Sequence, residues 1–217
     1  MKTLIISDTH LGKKFVKKKY EYLNKLFKEH DLIIMNGDFW DDSKCSFDEF
    51  VNSEWNMLFP IMKTKCIYIH GNHDLAHKSD GRNSLFCKEV VSKYRFTLPD
   101  KTEIIVVHGH EQSFVSKLVY FFFKDHPKLL YYLLYPVDRL QKLQMYLAKK
   151  GYRFVNIVNK GYYRQQKGKD YLLVTGHTHM PEFNKDKKYI NTGFVDNNFA
   201  SYVTVEGNNI KLVKELY

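Results

Sequence analysis

Apolar and polar positions fall into short blocks along this chain. Leu4-Ile5-Ile6, inside Thr3 to Ser7, is a continuous apolar run of the kind that forms a strand buried on both faces. Downstream, apolar side chains recur at Val16, Tyr20, Leu23 and Phe27, in steps of four, three and four. That spacing lines one face of a helix. Leu32 to Met35 is a second apolar run, closed by Asn36-Gly37. Strand, helix and strand in this order predict a βαβ unit and a parallel sheet. Ser46 with Glu49 three residues later forms a capping box, which predicts a helix reaching to about Pro60. Further strands are predicted at Cys66 to Ile69, Glu103 to Val107 and Leu172 to Thr175. The tail reads as a hairpin: Tyr202 to Val205, a Gly207-Asn208 turn, then Ile210 to Val213.

Between His110 and Tyr171 the pattern changes. Pro127, Pro136 and Gly151 punctuate three apolar-aromatic segments of helical character, among them Leu118 to Phe123 and Leu129 to Tyr135. They predict a helical insertion or lid at about 111–160 within a single domain spanning 1–217. Packing of the lid against the core is the first explanation for its apolar stripes. A pocket for acyl chains, or a patch touching a membrane surface, is the second.

Composition narrows the class. A chain of 217 residues with 44% hydrophobic and 16% aromatic residues can bury a sizeable core and is not a disordered segment. Its three cysteines form no CxxC pair and no even set, so the cytosol is the expected compartment. The apolar run near Met1 is too short for a signal peptide, and Leu129 to Val137 is too short to span a bilayer. The net charge of +10 favours phosphates, nucleic acids or anionic membrane surfaces as partners. Lys13, Lys14, Lys17, Lys18 and Lys19 read first as the solvated face of the first helix. Their second reading is recruitment of an anionic substrate. His30, His70, His77 and His126 read as surface or loop residues.

Five short motifs carry the chemistry: Asp8-Thr9-His10, Gly37-Asp38, Gly71-Asn72-His73-Asp74, His108-Gly109-His110 and Gly176-His177-Thr178-His179. Each ends or follows a predicted strand, where ligands of open α/β sheets gather. Side chains at i and i+2 of a strand share a face, so Asp8 with His10, and His177 with His179, are expected to grip an ion in pairs. Oxygen and nitrogen donors without thiolate suit Mn²⁺, Fe or Zn²⁺.

In this order the motifs resemble those of the calcineurin-like metallophosphoesterase superfamily. The resemblance implies a four-layer α-β-β-α sandwich in which two sheets are flanked by helices and the insert roofs a metal site. It implies a first ion held by Asp8, His10, Asp38 and His179, and a second held by Asp38, Asn72, His108 and His177, with Asp38 bridging. His73 would face the substrate as donor to the phosphoryl group or leaving oxygen, and Asp74 would orient His73. Two divalent ions, Mn²⁺ first among the candidates, would share a hydroxide that attacks phosphorus in line with the leaving group.

The helical excursion, with Gly37-Asp38-Phe39-Trp40-Asp41-Asp42, is similar to the layout of UDP-2,3-diacylglucosamine hydrolases, peripheral membrane enzymes that cleave a pyrophosphate. Many of those carry Arg where this chain has His73 and Asp where it has His110; both residues here match the wider superfamily. His110, Asn156, Asn159 and Lys160 are candidate substrate contacts by position. The leading expectation is hydrolysis of a phosphodiester or pyrophosphate, with a phosphorylated small molecule or lipid-linked substrate as partner. The alternatives are a nucleotide phosphodiesterase or nuclease, and, from another class, a non-catalytic protein-binding scaffold.

Overall fold

The computed structural model describes residues 1–112 and 159–217. The insertion expected at about 111–160, with Leu118 to Phe123, Leu129 to Tyr135 and Asn156, lies almost wholly outside the described residues.

Two sheets organise the described residues. In the seven-stranded sheet, β1 (Lys2–Ile6), β2 (Leu32–Asn36), β3 (Cys66–Ile69) and β4 (Glu89–Val91) run parallel in that order. The other edge is antiparallel: β11 (Phe199–Glu206) pairs with β1, and both β10 (Val195–Asp196) and β12 (Asn209–Leu216) pair with β11. The five-stranded sheet has the order β5 (Tyr94–Thr97), β6 (Glu103–Val106), β7 (Leu172–Thr175), β9 (Tyr189–Asn191) and β8 (Glu182–Asn184). Its centre, β6-β7-β9, is parallel.

Alternation along the strands divides the core into layers. Ile5, Ile34 and Val203 of the first sheet meet Ile104, Val106, Val174 and Ile190 of the second. The opposite parity, Leu4, Ile6, Ile33 and Met35, packs against α1 (Lys17–Lys28), α2 (Phe47–Val51) and α3 (Phe59–Met62) through Leu23, Phe27, Phe50 and Met62. On the far side, Ile105, Leu173 and Tyr189 pack against Tyr162 of α4 (Lys160–Gln166). The result is the α-β-β-α sandwich expected from the motifs.

Several local expectations need correction. The Ser46–Glu49 capping box forms, but the helix it opens stops at Val51. Ser53 starts a separate 3₁₀ turn over Glu54–Leu58 by accepting a bond from Trp55 N, and α3 follows with Pro60 in its first turn. Local serine bonds to backbone compete with helix continuation there. Lys19 is no solvated residue: it is buried, with Nζ donating to Thr9 O at 2.6 Å and Asp196 Oδ1 at 3.2 Å. His30 is buried too, its Nδ1 2.8 Å from Leu26 O at the end of α1. The His70 ring sits 2.6 Å from Asp74 O and 3.3 Å from Asn83, so it braces a loop. Among the described residues, no helix is long and apolar enough to cross a membrane.

Candidate metal centre

The motifs converge at the carboxyl ends of β1, β2, β3, β6 and β7. They do so through loops, not through strand alternation: β1 ends at Ile6 and β7 at Thr175. Asp8, His10, Asp38, His177 and His179 all adopt left-handed backbone conformations, with φ of 54°, 46°, 55°, 65° and 53°. Left-handed geometry is uncommon outside glycine and costs free energy at each such residue. Five expected ligands sharing it mark a site whose surroundings enforce the conformation.

The enforcing contacts are visible. Asp8 N donates to Gly37 O at 3.0 Å, and His10 N donates to Asp38 O at 2.9 Å, tying the first two loops together. The Asp8 carboxylate accepts from Ser7 Oγ and, at 3.0 Å, from His177 N. Asp38 Oδ1 accepts from His73 N at 2.9 Å. Gly71 allows this approach, because a Cβ there would lie against Asp38 Oδ1 and 2.7 Å from Asp38 N. Asn191 Nδ2 donates to Gly176 O at 2.8 Å and Thr178 Oγ1 at 2.9 Å, fixing the last loop from beneath.

The ligand atoms fall into two groups. In the first, His179 Nε2 is 3.1 Å from Asp8 Oδ1 and 3.1 Å from His10 Nε2. In the second, His108 Nε2 is 3.3 Å from Asn72 Oδ1, which is 2.8 Å from His177 Nδ1. Asp38 Oδ2 joins them, 3.8 Å from His10 Nε2 and 3.3 Å from His108 Nε2.

The donor set fits divalent cations. Asp8 Oδ1 is buried and makes no hydrogen bond, although it faces two imidazoles. A buried carboxylate oxygen without a partner is costly unless a cation meets it. Asp8, His10 and His179 form one cluster able to hold an ion, and Asp8, Asp38 and His108 form another. Burial raises the Asp8 and Asp38 carboxyls, but the surrounding histidines win and hold both below the usual range. Burial pushes His10 down, and burial with the neighbouring His108 takes His177 down to about 3. Ionised carboxylates and neutral imidazoles are the forms in which these groups bind metal. His108 goes the other way: Asp38 and Asp8 overcome its burial and lift it to about 9. Its Nδ1 lies 2.7 Å from Asn36 O, the outer contact that sets the ring's orientation.

His73 and Asp74 part company. The His73 side chain is 38% exposed, and its Nδ1 is 3.2 Å from Asp41 Oδ1. Burial acts to lower its pKa, but Asp38 and Asp41 raise it to about 10. Asp74 turns inward instead: it accepts from Phe39 N at 2.7 Å, from Tyr68 Oη and from Gly71 N. Asp74 therefore holds the Gly71-Asn72 turn, and the carboxylate that orients His73 is Asp41. Only the run Gly37 to Asp42 hinted at Asp41 in the sequence, because its partners come from other loops.

The remaining candidates differ. The His110 ring is 5.3 Å from that of His108 and 6.3 Å from that of His177, and its buried Nδ1 has no hydrogen-bond partner. Burial and the neighbouring His108 push it down to about 4. Asn159 is buried, accepting from Thr178 Oγ1 at 2.8 Å and donating to Met180 O and Glu182 Oε2 at 3.2 Å. It braces the His177–His179 loop from behind. Lys160 opens α4.

Comparison with known proteins agrees with this geometry. The chain belongs to the calcineurin-like phosphoesterases, whose family model matches residues 1–212. Among solved structures, it is similar to Yfce, a phosphoesterase from E. coli, at 16% identity over 97% of this chain and 91% of that one, with a TM-score of 0.52. A predicted phosphoesterase from Streptococcus pneumoniae is 13% identical over 100% of this chain and 92% of that one, with a TM-score of 0.46. At such identities the likeness is one of fold. No curated protein matches the chain in sequence. Family and clustered metal-binding side chains together make this a metal-dependent phosphoester hydrolase.

Proposed function

We propose that the protein hydrolyses a phosphodiester or pyrophosphate with two divalent cations, Mn²⁺ first among them. The observation that supports this reading most strongly is the double cluster joined by Asp38, with the His73 imidazole beside it on the Asp41 carboxylate. When bound, two cations supply charge neutralisation at phosphorus and lower the pKa of the attacking water. Asp8, His10, Asp38 and His179 would hold one, and Asp38, Asn72, His108 and His177 the other.

The chain's own groups do the rest. His73 carries the proton that a leaving alkoxide needs, and Asp41 fixes its Nδ1, which leaves Nε2 as the nitrogen free to donate. A lipid-linked pyrophosphate is the narrower reading, and it rests on the apolar stretches between 113 and 158. A nucleotide substrate is the second reading, favoured by the net charge of +10.

The test is Mn²⁺-dependent hydrolysis of bis-p-nitrophenyl phosphate, then of UDP-diacylglucosamine. Turnover that survives Asp38→Ala would end the two-cation reading. Turnover of the first substrate without the second would remove only the lipid. A steep fall of DNA binding with salt would favour the nucleotide reading.

A further inference from the structure

Asn159 and α4 lead the chain into β7 of the second sheet. This short stretch is anchored twice, on two different ligand loops. Asn159 Oδ1 accepts from Thr178 Oγ1 at 2.8 Å, and Thr178 stands between the expected ligands His177 and His179. Three residues on, Tyr162 Oη donates to Gly109 O at 2.9 Å, and Gly109 directly follows the expected ligand His108. Residues three apart share a helix face. Tyr162 N and Tyr163 N both donate to Asn159 O, at 3.0 and 3.2 Å, so the two anchors are held in fixed relation.

Each anchor is closely built. Thr178 and Asn159 are both buried. Thr178 Oγ1 accepts from Asn191 Nδ2 at 2.9 Å, which directs its single hydroxyl proton to Asn159. Tyr162 is buried with its ring stacked on Tyr189, the centroids 5.6 Å apart. Gly109 has a φ of 106°, and a Cβ there would lie 2.9 Å from Tyr162 Oη, so this approach needs glycine. The two loops are also tied to each other, by Gly176 N donating to His108 O at 3.1 Å. Left-handed backbone such as that of His177 and His179 persists only where the surroundings impose it.

We propose that Asn159 and Tyr162 are positioning residues of the metal centre, which hold His108, His177 and His179 at cation-binding separation through Thr178 and Gly109. This rests on the two-cation reading above and adds residues outside the ligand set to it. They act through the loops, not as ligands. Their effects divide between the two cations. Tyr162 acts on the loop of His108, which serves one cation. Asn159 acts through Thr178 on His177 and His179, which serve different ones.

The test is calorimetric titration of the metal-free full chain with Mn²⁺ alone, beside urea unfolding without metal. Tyr162→Phe removes one hydroxyl and keeps the ring on Tyr189. Thr178→Val removes one hydroxyl at nearly constant volume. Tyr163→Phe, in the same helix, removes a hydroxyl that bonds Glu182 and serves as the control. The expected result is about tenfold weaker binding at one Mn²⁺ step in Tyr162→Phe and at both steps in Thr178→Val. Asn159→Ala should match Thr178→Val, and the two together should add less than about twofold, because they delete the same bond. Tyr163→Phe should bind Mn²⁺ as the natural protein does. Unchanged Mn²⁺ affinity in Tyr162→Phe and Thr178→Val, even with lowered stability to urea, would overturn the proposal and leave the two-cation reading standing. An equal loss of affinity in Tyr163→Phe would overturn it too, by showing general loosening of the helix. A natural protein that binds neither Mn²⁺ nor Zn²⁺ would end the two-cation reading and this proposal with it.

Discussion

Asp41 Oδ1 lies 3.2 Å from His73 Nδ1, although the two residues sit on loops that follow different strands. The other oxygen of the same carboxylate lies 3.2 Å from Nδ1 of His10. One buried aspartate thus orients both an expected metal ligand and the expected proton donor. Burial raises the Asp41 pKa, but the two histidines pull it far below the carboxylate range, so it stays ionised at any working pH.

Asp41→Asn is therefore expected to lower kcat/KM by about 10- to 100-fold, the usual effect of removing a group that orients a ligand. The pH profile separates this from general damage. With His73 as the proposed acid, activity is expected to fall as pH rises through its pKa. Removing the Asp41 charge lowers that pKa, and the alkaline limb of kcat moves to lower pH. An alkaline limb that stays in place would show that Asp41 does not govern His73.

Gly71→Ala tests the close packing of the centre. The new methyl group would press on Asp38 Oδ1, which is held by its bond from His73 N, and on the Asp38 backbone nitrogen, which cannot swing away. Asp38 joins the two ligand groups, so its displacement should weaken metal binding and cut turnover by more than about 100-fold. Metal content after dialysis and turnover of bis-p-nitrophenyl phosphate report the two effects. Full metal occupancy with full activity would show that the loop relaxes freely.

Asp74→Ala should act mainly on stability. Three buried donors, Phe39 N, Gly71 N and Tyr68 Oη, would lose their acceptor. The expected loss is roughly 3 kcal/mol or more. Urea unfolding of the metal-free protein measures it, and a change below about 0.5 kcal/mol would mean that water replaces the carboxylate.

The five motifs were legible because each places its chemistry within four residues of a strand end, and strand ends could be read from apolar runs. Partnership across loops was not legible. Asp74 follows His73 in sequence, yet the turn sends one carboxylate inward and the neighbouring imidazole outward. The strand-alternation argument for Asp8 and His10 brought the right residues together for the wrong reason: left-handed loop backbone brings them together. Very short strands such as Glu89–Val91 and Tyr189–Asn191 were missed, because three residues carry no periodicity. Lys19 was within reach of a closer reading. It lies four residues before Leu23 and eight before Phe27, on the apolar stripe of α1.

Metal removal should destabilise the fold as well as stop the reaction. Buried carboxylates and imidazoles around Asp8 and Asp38 exchange solvation for cation contacts, so ion binding stabilises only the folded state. At a free ion concentration about 100 times Kd, this contributes roughly 2.7 kcal/mol. For a chain of this size that is a rise in Tm of about 5–10 °C. Differential scanning calorimetry with EDTA and then with added Mn²⁺ measures it. Identical transitions under both conditions would argue against a buried ion.

Lys19 gives a pH signature with a definite sign. Burial lowers its pKa from 10.5 to about 8, against the opposing pull of Asp196. Between those values the folded protein binds fewer protons at this site than the unfolded chain does. Stability therefore rises with pH across that window, and below about pH 8 the full cost of burying the charge is present. The gap corresponds to roughly 3 kcal/mol over the window. Lys19→Met keeps most of the apolar stem and removes the titration, so its stability should lack this rise. Urea unfolding of both proteins at pH 7, 8, 9 and 10 isolates the difference, since all other titrating groups are common to the pair. Parallel curves would mean that Lys19 keeps its ordinary affinity for a proton, which would require that water reaches its ammonium beside Thr9 and Asp196.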